Sequence, residues 1–372
     1  MILHLVTDEK FTDYAIAQFS APEMESEFVL IPYNQTMELV KLIDKCKVIT
    51  FPSLEFKKLL GNLGKYSGIV IHGMFCPRWQ ELILNWAPQS VKVAWMFWGG
   101  EIYQRPEIID RRYGTITGLM EHIHSLLRYK GAKPSLYILP YQLFQRIDYC
   151  MTGEREEYEY AKAFLNHPRM QHLWYTYYDM DATLGSLKGE RCNGNNVIVG
   201  NSATIECNYF DVIPKLRRHL KKDQKVVLPL SYGTPWLMGF VPKYVKFWLG
   251  KHAWVLSDFM EREKYNRILQ SCSTMIMAQY IPQAQGNILT GLWLGMRVYM
   301  SEKSIAYKFF KRLGFVVFSF ESEFKKYRYT PLTEEEFAQN RKVLTEWYSA
   351  ESVKKAVQNV VNELSEPKKI ND

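Results

Sequence analysis

The chain has 372 residues, too many for one ordinary hydrophobic core, so two domains are the first expectation. Apolar residues make up 47% and charged residues 23%, the balance of a globular protein, and no apolar run approaches the roughly 20 residues that cross a bilayer. The net charge of +8 suits an anionic partner, which nucleic acid, an acidic membrane or a phosphorylated ligand would satisfy, while six dispersed cysteines without a CxxC pair support neither a zinc site nor a disulfide framework and fit a reducing cytoplasm.

The amino terminus, MILHLVTDEKF, reads as a strand (Ile2–Val6) rather than a leader peptide. Further strands are expected at Phe28–Ile31, Val48–Thr50, Gly68–His72, Lys92–Phe97 and Ile147–Met151. Their unbroken β-branched and aromatic character is that of parallel strands covered on both faces. Between them a helix is predicted at Ser53–Leu63, with Leu54, Phe56, Leu59, Leu60 and Leu63 as its apolar positions. A polar, glycine- and asparagine-rich run, Asp181 to Asn196, interrupts the pattern and reads as a linker.

The pattern restarts with a strand at Val197–Val199, a turn at Gly200-Asn201-Ser202 and a helix at Asn208–Lys222. Strands follow at Lys225–Leu230 and Trp254–Leu256, the latter leading to a helix opening at Ser257-Asp258. From Thr274 to Met300 the chain spells a βαβ unit: a strand to Gln279, a polar loop from Pro282 to Asn287, a helix, Gly295, and a strand at Arg297–Met300. A last strand, Gly314–Phe318, precedes a helical tail. The tail has a capping box at Thr333 and Glu336 and an apolar stripe of Val353, Val357, Val360, Val361 and Leu364. The economical division is 1–185 and 186–345 as two α/β domains facing a cleft, with 346–372 as a terminal helix.

Parallel sheets gather their loops on one rim, where ligands bind. In the second half that rim would carry Gly200, Asn201, Ser202, Ser231, Tyr232, Ser257, Asp258, Gln283, Gln285, Gly286 and Asn287. The βαβ loop among them stands before a helix, so backbone N–H groups and the helix dipole suit a diphosphate there, and Tyr232 could flank a base. Asn201, Ser202, Ser257 and Asp258 read equally as helix caps. No DxD-type pair ends a strand, so no metal is expected. In the first half, Thr7-Asp8, His72-Gly73 and Trp98-Gly99-Gly100-Glu101 end strands, with Tyr103 close behind. Glycines there let a ligand approach the backbone. Glu101 is the leading candidate for a general base, with Asp8 and His72 in reserve. Glu154 and Arg155 form a weaker rim pair.

Arg111 to Arg146 is basic and aromatic, with Ile116, Leu119, Met120, Ile123 and Leu127 on or near one helical face and Arg128, Lys130 and Lys133 at its end. An interfacial patch for an anionic membrane and a core-facing amphipathic helix are even alternatives. Nucleic acid is not expected, because the basic residues are spread over α/β domains without a recognition motif.

Five ordered segments carry a family resemblance: Ile71–Ile83, Trp95–Gln104, Val197–Asn208, Val226–Gly233 and Ala278–Val298. Across them the chain resembles the bacterial 4-acetamido-4,6-dideoxygalactosyl (Fuc4NAc) transferases, also called 4-alpha-L-fucosyltransferases. After Trp98 it has glycine and glutamate where that family has alanine and aspartate, and after Leu230 it reads Ser-Tyr-Gly in place of Gly-Tyr-Pro. The resemblance implies an α/β GT-B fold of two facing Rossmann-like domains and transfer of a deoxyamino sugar, Fuc4NAc or fucose-like, from a dTDP-linked donor. It further implies a polyprenyl-diphosphate-linked glycan acceptor and peripheral attachment to the cytoplasmic face of the inner membrane; separately, no cofactor is expected. By position, Gly200, Asn201, Ser202, Tyr232, Gln285 and Gly286 fall to the donor side and His72, Gly73, Trp98, Gly99, Glu101 and Tyr103 to the acceptor side. The rival readings are a sugar-nucleotide epimerase or hydrolase on the same fold and a non-catalytic glycan-binding subunit.

Overall fold

A computed structural model describes residues 1–33, 37–75, 77–109, 112–129 and 139–368. The chain forms two compact units: Met1–Arg105, Leu136–Asp179 and Ala350–Asp372 make up unit 1, and Pro106–Ser135 with Met180–Ser349 make up unit 2.

Unit 1 is built on seven strands: β1 (Ile2–Val6), β2 (Ser26–Leu30), β3 (Cys46–Val48), β4 (Gly68–His72), β5 (Lys92–Met96), β6 (Tyr149–Thr152) and β7 (Gln171–Trp174). All pairings are parallel, in the order β3-β2-β1-β4-β5-β6-β7. Every residue of β1, β4 and β5 is buried, the outcome expected of continuous apolar strands. The outer strands depart from the sequence reading. β3 runs two residues earlier than expected, because Phe28 to Leu30 of β2 pair with Cys46 to Val48. β7, QHLW, is an edge strand with an exposed glutamine and gave no apolar run to read.

Unit 2 has six strands: β8 (Asn196–Val199), β9 (Val226–Pro229), β10 (Ala253–Leu256), β11 (Cys272–Met277), β12 (Arg297–Met300) and β13 (Phe318–Ser319). They are parallel in the order β10-β9-β8-β11-β12-β13, the 3-2-1-4-5-6 order of a doubly wound nucleotide-binding sheet. The order reverses between β8 and β11, so the loops after these two strands flank the switch point.

Several elements differ from expectation for local reasons. The expected linker contains a helix, Met180–Leu184, and a 3₁₀ turn, Gly185–Leu187, in which Met180, Leu184 and Leu187 are buried. The expected helix at Asn208–Lys222 is α-helical only over Tyr209–Leu216 and tightens to a 3₁₀ turn at Arg217–His219. Pro235–Leu249 is a further helix, whose Pro235 and Pro242 had disguised the buried series Leu237, Val241, Val245 and Leu249. After β10 the helix opens at Arg262, not at Ser257-Asp258.

Two segments cross the linear division of the chain. The helix Thr115–Tyr129 belongs to unit 2, where the Asp211 carboxylate caps it by accepting from Ile116 N (3.0 Å) and Thr117 N (2.8 Å). The tail begins in unit 2 with Glu334–Tyr348, started by the Thr333–Glu336 capping box, and returns to unit 1 with Ala350–Ser365. Val353, Val357, Val360, Val361 and Leu364 join the unit 1 core there. A Cβ on Gly68 would stand 2.7 Å from Leu364 Cβ, so β4 receives this helix only because it starts with glycine. Among the described residues no helix is long and apolar enough to cross a membrane.

Candidate functional site

At the unit 2 switch point, β8 ends in Gly200 at φ +65, where a Cβ would lie 2.4 Å from the Tyr209 hydroxyl. That hydroxyl donates to Ser202 O at 2.8 Å and pins the turn. Asn201 Oδ1 accepts from Gln279 Nε2 at 3.1 Å and Asn201 Nδ2 faces the Tyr232 hydroxyl at 3.5 Å, so one asparagine joins the loops after β8, β9 and β11. The backbone makes the same junction: Ala203 N donates to Tyr232 O at 2.8 Å, and Thr234 N to Ala203 O at 2.9 Å. Gly233, at φ +133, leaves no room for a Cβ, which would stand 2.4 Å from Ala203 O. Tyr232 itself remains about half exposed at 52%.

The loop after β11 ends in Ala284, a left-handed N-cap at φ +59, and the helix Gln285–Leu294 follows. Alanine has no side chain to cap the first turn, so the amides of Gln285, Gly286 and Asn287 have no N-cap acceptor. Gln285 Nε2 donates to the Tyr348 hydroxyl at 3.3 Å, Asn287 hydrogen-bonds Tyr265, and Gln283 Oε1 is buried without a partner. A cation stands beside this loop: Lys303 Nζ lies 3.5 Å from the Tyr280 hydroxyl and 4.7 Å from its ring centroid. Of the expected rim residues, Gly200, Asn201, Ser202, Ser231, Tyr232 and Gln283 lie on loops after β8, β9 and β11, and Gln285, Gly286 and Asn287 form the first turn of the helix that follows β11. Ser257 and Asp258 are exposed after β10, two strands from the switch point, and cap no helix because none begins there. Gln279, Tyr265 and Lys303 were missed. A buried glutamine ending a strand was the available signal for Gln279; the other two carry none.

In unit 1 the expected acceptor-side residues make contacts within the protein itself. The Asp8 carboxylate accepts from the amides of Glu38 (2.8 Å), Leu39 (3.0 Å) and Val40 (3.0 Å), which makes it the anchor of that loop rather than a base. His72 is buried, with Nε2 3.1 Å from His4 Nδ1 and Nδ1 2.8 Å from the Tyr177 hydroxyl. Burial holds its pKa down at about 3. It is a neutral structural histidine. Gly73 and Gly99, both at positive φ, admit side chains of the protein itself: a Cβ would lie 2.6 Å from the Trp98 ring at Gly73 and 3.0 Å from the Tyr103 ring at Gly99. The Trp98 indole N–H donates to Tyr177 at 3.2 Å, and the buried Tyr103 donates to Glu157 Oε1 at 3.3 Å. These contacts give all four expected acceptor residues packing roles.

Glu101 remains. Its Oε1 accepts from Met74 N (3.0 Å), Trp95 Nε1 (3.2 Å) and Trp98 N (3.4 Å), which ties the loops after β4 and β5 together, while Oε2 is buried with no partner. Burial raises its pKa to about 7, outweighing those donors. Glu154 and Glu157, after β6, are also buried and also shifted upward, first by burial and then by neighbouring carboxyls. The end of this sheet therefore holds three carboxyls that resist ionisation. In the sequence Glu154 stands out only as a weaker rim candidate and Glu157 carries no local signal. Among the described residues no three His, Cys, Asp or Glu side chains gather as a metal site.

In the basic segment, Arg112 is buried in an ion pair with Glu206 at 2.9 Å, and so is no part of a surface patch. Arg111, Lys130 and Lys133 lie outside the described residues.

No protein-family model matches the chain, and no curated protein matches it in sequence. Solved structures do match over nearly the full length. A glycosyltransferase from Rickettsia africae covers 98% of this chain and 98% of its own, at TM-score 0.64 and 12% identity. HepE of Anabaena, in complex with UDP and glucose, covers 98% and 99% at TM-score 0.62 and 10% identity. Sucrose-phosphate synthase from Thermosynechococcus elongatus covers 98% and 99% at TM-score 0.61 and 9% identity. Identities this low establish shared architecture, and with its two parallel, helix-covered sheets the chain has the GT-B fold.

Proposed function

We propose that this protein is a glycosyltransferase that takes a sugar from a nucleoside diphosphate bound at the unit 2 switch point. The observation that carries the reading is the uncapped first turn of the helix Gln285–Leu294, set after β11 where the strand order reverses. As the glycosidic bond breaks, negative charge grows on the departing diphosphate, and the amides of Gln285, Gly286 and Asn287, with the helix dipole, would stabilise it. Lys303 would add a positive charge beside the same loop. Tyr232, exposed and held through Asn201, suits the nucleoside. On the acceptor side Glu101 is the proposed base. The acceptor oxygen bonds to the anomeric carbon as that carbon releases the diphosphate, and the proton passes to Glu101 Oε2, whose pKa near 7 fits it to accept at neutral pH.

HepE, solved with UDP and glucose, supports a sugar nucleotide as donor. The finer assignments are drawn from the Fuc4NAc transferase resemblance: a dTDP-linked deoxyamino sugar, a polyprenyl-diphosphate-linked acceptor and peripheral attachment to an anionic inner membrane. A thermal-shift panel of dTDP, UDP and GDP tests the donor site and its base preference together. The expected result is stabilisation largest with dTDP. No shift with any of the three would overturn the reading.

A further inference from the structure

The helix Thr115–Tyr129 is inside out. Asp211 holds its first turn, Met120 packs against the unit 2 core, and His124 stacks on Trp236 with ring centroids 4.3 Å apart. Those residues form the packed face. The adjoining face carries Ile116, Leu119, Ile123, Leu126 and Leu127 and is exposed, with Leu119 at 57% and Leu127 at 82%. A helix packed on its own core would place these residues inward. The cap from Asp211 and the His124–Trp236 stack instead fix the helix with its apolar side out.

The helix Pro235–Leu249 continues this surface. From Trp236 the stripe Phe240, Lys243 and Phe247 follows at i+4, i+7 and i+11, so it runs on from the residue that stacks on His124. Phe240 is 41% exposed and Phe247 80%, Lys243 and Lys246 are exposed, and the helix has no acidic residue. Aromatic side chains that can enter the acyl boundary alternate here with lysines that can reach the headgroups, beside a second helix of exposed leucine and isoleucine.

We infer that these two helices of unit 2 form a docking face for an anionic lipid bilayer. The charge decides for lipid: the exposed stripe of Pro235–Leu249 is basic and aromatic and that helix has no carboxylate, Glu121 being the one acidic residue of its neighbour Thr115–Tyr129, and the protein's net charge of +8 has the same sign. The inference rests on the proposed function only for its membrane side and gives that side a surface that does not include the buried Arg112.

The test is flotation of the full-length protein with vesicles of phosphatidylglycerol and, separately, of phosphatidylcholine. Wild type should float with the first and not the second. K243Q/K246Q should bind about 30-fold more weakly at low salt, from about 1 kcal/mol per lysine near an anionic surface. L127S/F247S should lose more than about ten-fold from two removed apolar anchors. Both variants alter exposed side chains and should keep the wild-type melting temperature and nucleotide shift. The inference is overturned if wild type does not float with phosphatidylglycerol, or if both variants float as well as wild type. It is also overturned if light scattering shows a dimer that only L127S/F247S dissolves, which would assign the face to a second copy. Vesicle binding with no response to any nucleotide would remove the transferase reading and leave the docking face; the converse would remove the face alone.

Discussion

The two carboxyl oxygens of Glu101 stand in different surroundings, and the proposed role as base falls to the one without a partner. Oε1 is occupied by three donors and Oε2 by none. Replacement by glutamine keeps an acceptor for Met74, Trp95 and Trp98 but removes the proton acceptor, so E101Q should lower kcat by about 10²-fold or more while leaving the dTDP thermal shift intact. Wild-type transfer rates in E101Q would end its assignment as the base. In wild type, kcat/KM should rise with pH through about 7, as Glu101 loses its proton. The same burial sets a pH dependence of stability. Glu101 and Glu157 have folded pKa values above their ordinary 4.5, so the native state binds more protons than the unfolded chain between those values. The stability they contribute is complete below 4.5 and is lost as pH rises through about 7 for Glu101. Melting temperature should therefore fall from mildly acidic to alkaline buffer, and less steeply in E157Q. Gly200 gives a steric counterpart. A methyl group there meets the Tyr209 hydroxyl at 2.4 Å on a backbone already at φ +65, so G200A should cost about 1–3 kcal/mol in denaturant unfolding and weaken nucleotide binding.

At the scale of elements, caps and cores decide where helices belong. The helix Thr115–Tyr129 has no acidic residue in its first turn and borrows Asp211 from the helix Tyr209–Leu216 as its cap. D211A should cost about 1 kcal/mol and raise hydrogen exchange in the amides of residues 115 to 120 ahead of the rest of unit 2. The element-level reading of the chain succeeded where local signals agree with tertiary packing. Gly68–His72 and Arg297–Met300 are apolar runs bounded by turn residues, and both strands have the expected limits. It failed at β7, where a polar edge strand has no apolar signature, and at Pro235–Leu249, where two prolines mimic loop punctuation.

For the whole molecule, the tail gives the clearest expectation. The helix Ala350–Ser365 contributes five apolar side chains to the unit 1 core although unit 2 precedes it in the chain. L364A should destabilise unit 1 by about 2–5 kcal/mol, read as an earlier thermal transition, because the side chain is fully buried against β4. An unchanged melting profile would mean that unit 1 folds without its last helix.

Local runs of residues are enough to place the chain in its fold class: two series of buried parallel strands, a glycine turn after β8, and a βαβ unit whose loop suits a diphosphate. These are legible because strand burial and helix entry are written in local runs of residues. Three features depend on contacts remote in sequence. The crossing of residues 106–135 and 350–372 between units depends on contacts far apart in sequence, such as Asp211 with Ile116 and Leu364 with Gly68. The internal partners of Asp8, His72 and Tyr103 lie 30 or more residues away in sequence. The outward face of the helix Thr115–Tyr129 depends on which side its neighbours hold. Periodicity shows that a helix has an apolar face; only the elements packed around it determine whether that face meets the core or the surroundings.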